Sequence, residues 1–183
     1  MNPITEFHRG DRFVKQKTIR TTDGRKAVIR PLKPGDADLL FQCFQGFGAI
    51  ARKNFAPHPF SREIAEDICS RIDTDTANAR FLVTQGPDEV PLGYAFISKF
   101  GDDVPFLGIG LIDTATGVGL GRKVVQFLLS HGRAAGYAKL ALSVMVRNAR
   151  ARALYESLGF TYLDGQVWDE NGEGWSLRME KVL

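Results

Sequence analysis

An α/β fold built on a mixed sheet is what this sequence predicts, on three observations. Short β-branched runs are interleaved with amphipathic stretches at helical spacing. Their order is strand, two helices, three strands, helix, strand, helix, two strands. A glycine-rich loop, Thr116–Gly121, opens the longest helix directly after a strand. The strand–helix–strand unit from about Leu107 to Val146 should be a right-handed parallel crossover.

Each element has its own signal. Residues 1–22 are polar and unpatterned and read as a flexible lead-in, leaving 23–183 as a single domain. Lys26–Leu32 is a β-branched run ended by Pro31 and Pro34, hence a strand. Asp36 and Asp38 sit near a helix start, and Leu39, Leu40, Cys43, Phe44 and Phe47 supply that helix with an apolar face. Gly46–Pro59 reads as a loop. Ser61 can cap a second helix carrying Ile64, Ile68 and Ile72. Phe81–Thr84, Leu92–Phe100 and Pro105–Ile112 read as strands, with a hairpin turn at Gly101-Asp102-Asp103. The long helix after the loop carries Val124, Val125, Leu128 and Leu129 on one face. Leu140–Val146 is a buried strand, and Asn148–Leu158 a helix ended by Gly159. Phe160–Leu163 and Trp175–Met179 close the chain as strands around the polar turn Asp169–Gly174.

Composition excludes several classes. The chain has 183 residues and 24 Lys+Arg against 21 Asp+Glu, a net charge of +3, too mild for a nucleic-acid stripe. The two cysteines, Cys43 and Cys69, match neither a disulfide framework nor a metal spacing and fall in apolar helical patterns, so no metal is expected. Residues 1–20 lack the apolar core of a signal peptide, and no apolar run approaches the roughly 20 residues of a membrane span. A cytoplasmic protein without a membrane partner is the expectation.

The loop reads Thr116-Gly117-Val118-Gly119-Leu120-Gly121-Arg122. Glycines allow positive φ and close approach to a ligand, and N–H groups at a helix start favour an anion. A run of them forms a nest for phosphate, and Arg122 and Lys123 add positive charge. The same glycines could merely let helix and strand pack closely. A P-loop is excluded because G-x-x-x-x-G-K-[ST] is absent. A nicotinamide-binding fingerprint is excluded too. The third glycine comes one residue early, and no acid at the end of the next strand could hold a ribose.

The second motif is Asn148-Ala149-Arg150-Ala151-Arg152-Ala153-Leu154-Tyr155-Glu156-Ser157-Leu158-Gly159-Phe160. Ala151, Leu154 and Leu158 recur at helical spacing as a core stripe, and Asn148 can cap the first turn. Tyr155, beside the stripe, could be an aromatic core residue with a satisfied hydroxyl. This string resembles the N-x-x-A-x-x-L-Y-x-x-L-G-F signature of the GNAT superfamily of acyl-CoA-dependent N-acyltransferases. The loop resembles that family's R/Q-x-x-G-x-G/A element. Ile29-Arg30-Pro31-Leu32 followed by Gly35-Asp36-Ala37 resembles its opening, so the resemblance spans about residues 25–182.

The resemblance implies a mostly antiparallel sheet of about seven strands flanked by helices. It implies an enzyme that moves acetyl from acetyl-CoA to a primary amine, on a small molecule or a protein, by direct attack. Gly117, Val118, Gly119, Leu120, Gly121 and Arg122 would hold the pyrophosphate, and Asn148 the pantetheine or phosphate arm. Leu111 and Ile112 would pair with pantetheine where the strands Leu107–Ile112 and Leu140–Val146 splay, with Gly108 and Gly110 suiting a close approach. A backbone N–H near Ile112 would serve the oxyanion. Tyr155 would act as general acid. A homodimer is implied as a common arrangement in the family.

Two residues depart from the pattern. Phe106 stands where many members carry a carboxylate, and Thr116 replaces the usual Arg or Gln. Asp103, Asp113 and His58 are nearby candidates for a base, but turn chemistry and a solvated loop explain them more simply. Trp168 and Trp175 are half-buried strand aromatics or an acceptor wall. The alternative function is a non-catalytic acyl-CoA-binding or sensing module on the same fold.

Overall fold

The computed structural model describes residues 16–98, 104–168 and 175–183. Among the described residues, eight strands form one sheet: β1 Lys17–Arg20, β2 Lys26–Pro31, β3 Asn78–Gln85, β4 Val90–Ser98, β5 Phe106–Leu111, β6 Lys139–Met145, β7 Thr161–Trp168 and β8 Trp175–Val182. Their spatial order is β1-β2-β3-β4-β5-β6-β8-β7. Each neighbouring pair is antiparallel except β5 and β6, the parallel pair that the sequence predicts.

Among the described residues the sheet has eight strands, in line with the expected count of about seven. The added strand is β1, in the segment read as part of the lead-in. Ile19 is its one buried residue, so its alternation is too short to stand out in sequence. The turns at 101–103 and 169–174 lie outside the described residues, as do residues 1–15.

Five α-helices among the described residues flank the sheet: α1 Ala37–Gln45, α2 Ala49–Asn54, α3 Arg62–Arg71, α4 Leu120–Ala134 and α5 Ala149–Ser157. Period-two alternation along the strands sorts the core into two layers. Tyr94 and Phe96 of β4 pack with Leu82 under α1 and α3. Ala95 and Ile97 face the other way, into the layer made by α4 and by Tyr155 of α5. The expected caps form: Ser61 Oγ accepts from Ile64 N–H, and Asn148 Oδ1 accepts from Ala151 N–H. Gly159 turns the chain with φ 82°. Cys43 and Cys69 are free and buried, and burial pushes their thiols up to about 12 and about 11.

A buried ion pair joins the 3-10 turn Pro34–Asp36 before α1 to the sheet. Arg30 of β2 is 3% exposed and grips Asp36 with two nitrogens, at 2.6 and 3.0 Å. Arg30 Nε also donates to Glu89, and Asp36 accepts from Lys33 N–H. Among the described residues no helix is long and apolar enough to cross a membrane.

Candidate functional site

The site is made by a strand that loses its neighbour. β5 runs antiparallel to β4 over its whole length. Toward β6 it pairs only at Phe106 and Ala141, where Ala141 N–H donates to the Pro105 carbonyl at 2.9 Å. Beyond that point the two strands part. A cleft of about 630 Å3 opens between them.

Alternation decides which groups face the gap. Ile112 N–H donates to the Leu92 carbonyl at 3.0 Å, so Ile112 is bonded toward β4. In an antiparallel ladder the neighbouring residues then turn their N–H and C=O groups the other way. That places the backbone groups of Leu111 and Ile109 on the open edge. Of the two residues expected to meet pantetheine, Leu111 thus offers its backbone to the open edge, while the Ile112 N–H is bonded to β4. Ile112 is committed to the ladder and does not line the cleft, whereas Leu111 and Ile109 do. On the α1 side the two glycines make room for aromatic rings: Phe96 Cζ and Phe55 Cδ1 come to 2.3 Å from where a Cβ on Gly108 and Gly110, respectively, would stand.

The glycine loop closes one end. Gly117 and Gly119 have φ of 82° and 73°, the left-handed region that glycine enters without strain. Gly119 occupies the N-cap of α4, so the N–H groups of Leu120, Gly121 and Arg122 in the first turn lack helical acceptors. Gly117, Gly119, Gly121 and Arg122 line the cleft. The side chains of Val118 and Leu120 do not: both pack into the core, which leaves only their backbone at the loop. Val118 also ties the loop to the strand end, its carbonyl accepting from Thr22 N–H at 2.9 Å.

Among the described residues, two cations line the cleft, Arg122 and Arg150. Arg122 Nη2 donates to Ser157 Oγ at 2.8 Å. Thr116 spends its hydroxyl on the Asp113 carbonyl. Arg150, not singled out in sequence, lines the cleft with Nη2 3.5 Å from where a side chain on Gly117 would begin. Its position two residues after Asn148, on the first turn of a helix that borders the loop, was the available signal.

Asn148 and Tyr155 line the cleft from α5. Asn148 uses its oxygen as a cap, and its amide nitrogen donates to no described residue. Tyr155 is 8% exposed, packs its ring against Phe160, and its hydroxyl bonds to no described residue. Burial pushes that hydroxyl up to about 12.

The opposite wall is α2, inside the segment read as a loop. Ile50, Ala51, Asn54 and the following Phe55 line the cleft. The helix has six residues, no side-chain cap and nothing buried, so no apolar stripe marks it in the sequence. Asp113 lines the cleft as its single carboxylate among the described residues. His58 does not reach it. Its ring lies against Phe44, Phe60 and Tyr94, and burial pushes its pKa down. Phe106 lies beneath the Arg178 guanidinium, 4.7 Å from the ring centre. Asp103 lies outside the described residues. Among those described, no group of three or more His, Cys, Asp or Glu is placed to hold a metal ion.

Comparison with known proteins agrees with this geometry. The family model described as the acetyltransferase (GNAT) domain matches residues 26–161. A 5-NmdU N-acetyltransferase of Pseudomonas phage PaMx11 is 36% identical over 72 residues, 39% of this chain and 47% of that protein. The match thus spans about half the length of that curated relative. The GNAT domain of S. lividans PAT superposes with a TM-score of 0.76 at 17% identity, covering 92% of this chain and 97% of that one. The spermidine N-acetyltransferase from Vibrio cholerae in complex with CoA and spermine gives 0.69 at 21% identity, covering 85% and 95%. At these identities the solved structures show a shared fold.

Proposed function

The chain belongs to the GNAT acetyltransferase domain family, and on that premise we propose that it transfers an acetyl group from acetyl-CoA to a primary amine by direct attack, with Tyr155 as general acid. One observation carries the reading. At the parting of β5 and β6, a buried phenol with no described hydrogen-bond partner faces a cleft whose far end is a nest of N–H groups.

The residues present fit CoA. The first-turn N–H groups of α4 would meet the pyrophosphate, with Arg150 and Arg122 as the cations beside it. Arg150 then supplies the positive charge that Thr116 does not. The open-edge backbone of Ile109 and Leu111 would pair with the pantetheine arm, and the Asn148 amide would donate to it. Bound there, the donor supplies an activated acyl group.

The chain's part is proton placement and orientation. Tyr155 keeps its proton at neutral pH because burial disfavours the phenolate. A thiolate leaving into the same apolar gap is made more basic by the same burial, which favours proton transfer from Tyr155 Oη to the departing sulfur. The walls α2 and β5 hold the two reactants at attack distance. The acceptor is a small-molecule amine or a protein amino group. A polyamine would meet one described carboxylate in the cleft, Asp113, so an acceptor of lower charge suits this lining better.

The absence of any other described acid or imidazole in the cleft favours a second reading, an acyl-CoA-sensing module. A thermal-shift titration with acetyl-CoA, CoA and NADP tests the donor site. Acetyl-CoA at 100 times its dissociation constant should stabilise the fold by about 2.7 kcal/mol, with no effect of NADP. No shift with either CoA species would overturn the assignment. Release of free thiol on adding amines, lost in Tyr155→Phe, separates enzyme from sensor.

A further inference from the structure

α2 is the least anchored wall of the cleft. None of its residues is buried and no side chain caps its start. Two arginines hold it. Arg52 reaches back to the end of α1, donating to the Phe44 carbonyl at 2.6 Å and the Phe47 carbonyl at 2.8 Å. The second comes from the opposite wall. Arg147 follows β6, and its Nη2 donates to the Lys53 carbonyl at 2.6 Å while its Nε donates to Asn54 Oδ1 at 3.4 Å.

Its neighbours show what it crosses. Val144, three residues before Arg147, and Asn148, the residue after it, line the cleft, and Asn54 and Phe55 line it from the far side. The guanidinium therefore runs from one wall to the other. Its root is fixed, because Val146 N–H donates to the Trp175 carbonyl at 2.8 Å and Asn148 N–H to the Met145 carbonyl at 2.9 Å. Its far end holds a carbonyl in the last turn of α2, where helical acceptors go unused.

We propose that Arg147 is a strap over the cleft: it pins α2 against the β6–α5 wall and sets how fast the acyl donor is released. This rests on the reading that the cleft holds CoA. Arg147 acts as a positioning residue, through α2.

The test compares Arg147→Ala and Arg147→Lys with the unaltered chain. It reads CoA release by rapid displacement, the KM for acetyl-CoA against kcat, and amide hydrogen exchange over residues 49–54. Arg147→Ala should quicken release and raise KM about fivefold, the size of one solvent-exposed charge-assisted hydrogen bond, with kcat held. Exchange over 49–54 should rise in the ligand-free protein. Arg147→Lys keeps one donor and loses the fork, so it should recover part of both effects, and it carries the test should the alanine variant not fold. Unchanged release and unchanged exchange in a variant that melts normally would overturn the proposal. So would faster release with no change over 49–54. If the unaltered chain binds no CoA, the acetyltransferase reading fails, and exchange over 49–54 in the free protein alone decides whether Arg147 holds α2.

Discussion

Tyr94 and Tyr155 are both buried, and burial lifts both hydroxyls to about 12. Tyr94 lies in the layer sealed by α1 and α3. Its ring packs among Phe44, Phe55 and Phe96, and its oxygen accepts from Arg80. Tyr155 lies where the sheet has opened. It packs one side on Phe160 and turns a hydroxyl without a described partner to the cleft. Acid strength does not separate the two. What separates them is whether the protein has already used the oxygen.

The sharpest way to break this contrast is to remove each hydroxyl. Tyr155→Phe should lower turnover about 10²- to 10⁴-fold and leave the CoA dissociation constant within about twofold, as read by steady-state kinetics and titration. Tyr94→Phe should leave turnover intact and cost about 1 kcal/mol of stability, because Arg80 loses its acceptor. A reversal of the two results would end the comparison. The sealed layer can be tested again at its ion pair. Asp36→Asn leaves buried Arg30 without its main counter-charge, and a urea melt should show a loss of about 3–5 kcal/mol.

Acid probes burial without function. His131 is 3% exposed among Phe81 and Phe127, and burial pushes its pKa from 6.5 down to about 4. The folded state therefore keeps the ring neutral while the unfolded chain takes up a proton. Stability is complete above pH 6.5 and falls as pH drops toward 4, by on the order of 3 kcal/mol. Melting curves of His131→Leu should be flatter over that window. A small effect belongs to the glycine loop. Gly119→Ala forces a side chain into φ 73°, 3.0 Å from Thr22 Cγ2, and should cost about 1–2 kcal/mol locally. It should raise the KM for acetyl-CoA and leave kcat unchanged.

How much the sequence could say follows from these same residues. Periodicity located seven of the strands and three of the helices, α1, α3 and α4, whose apolar residues recur on one face over two or more turns. β1 and α2 bury one residue and none, so no pattern marks them. The loop and α5 were legible as strings, since glycine spacing and the cap Asn148 are local chemistry. Which way the N–H groups of Leu111 and Ile112 point is not legible in the string, because only the ladder sets it. Arg147 and Arg150 act across elements, and one-dimensional patterns do not record who faces whom.

β1 has a consequence larger than its four residues. It leads into Thr22, which bonds the Val118 carbonyl and brings its methyl group against Gly119. The strand at the sheet's outer edge thus works as a splint for the loop's curvature. A chain trimmed to begin at Lys26 would keep the other seven strands and both cleft walls, yet its anion nest would have to find its shape anew each time a ligand arrived.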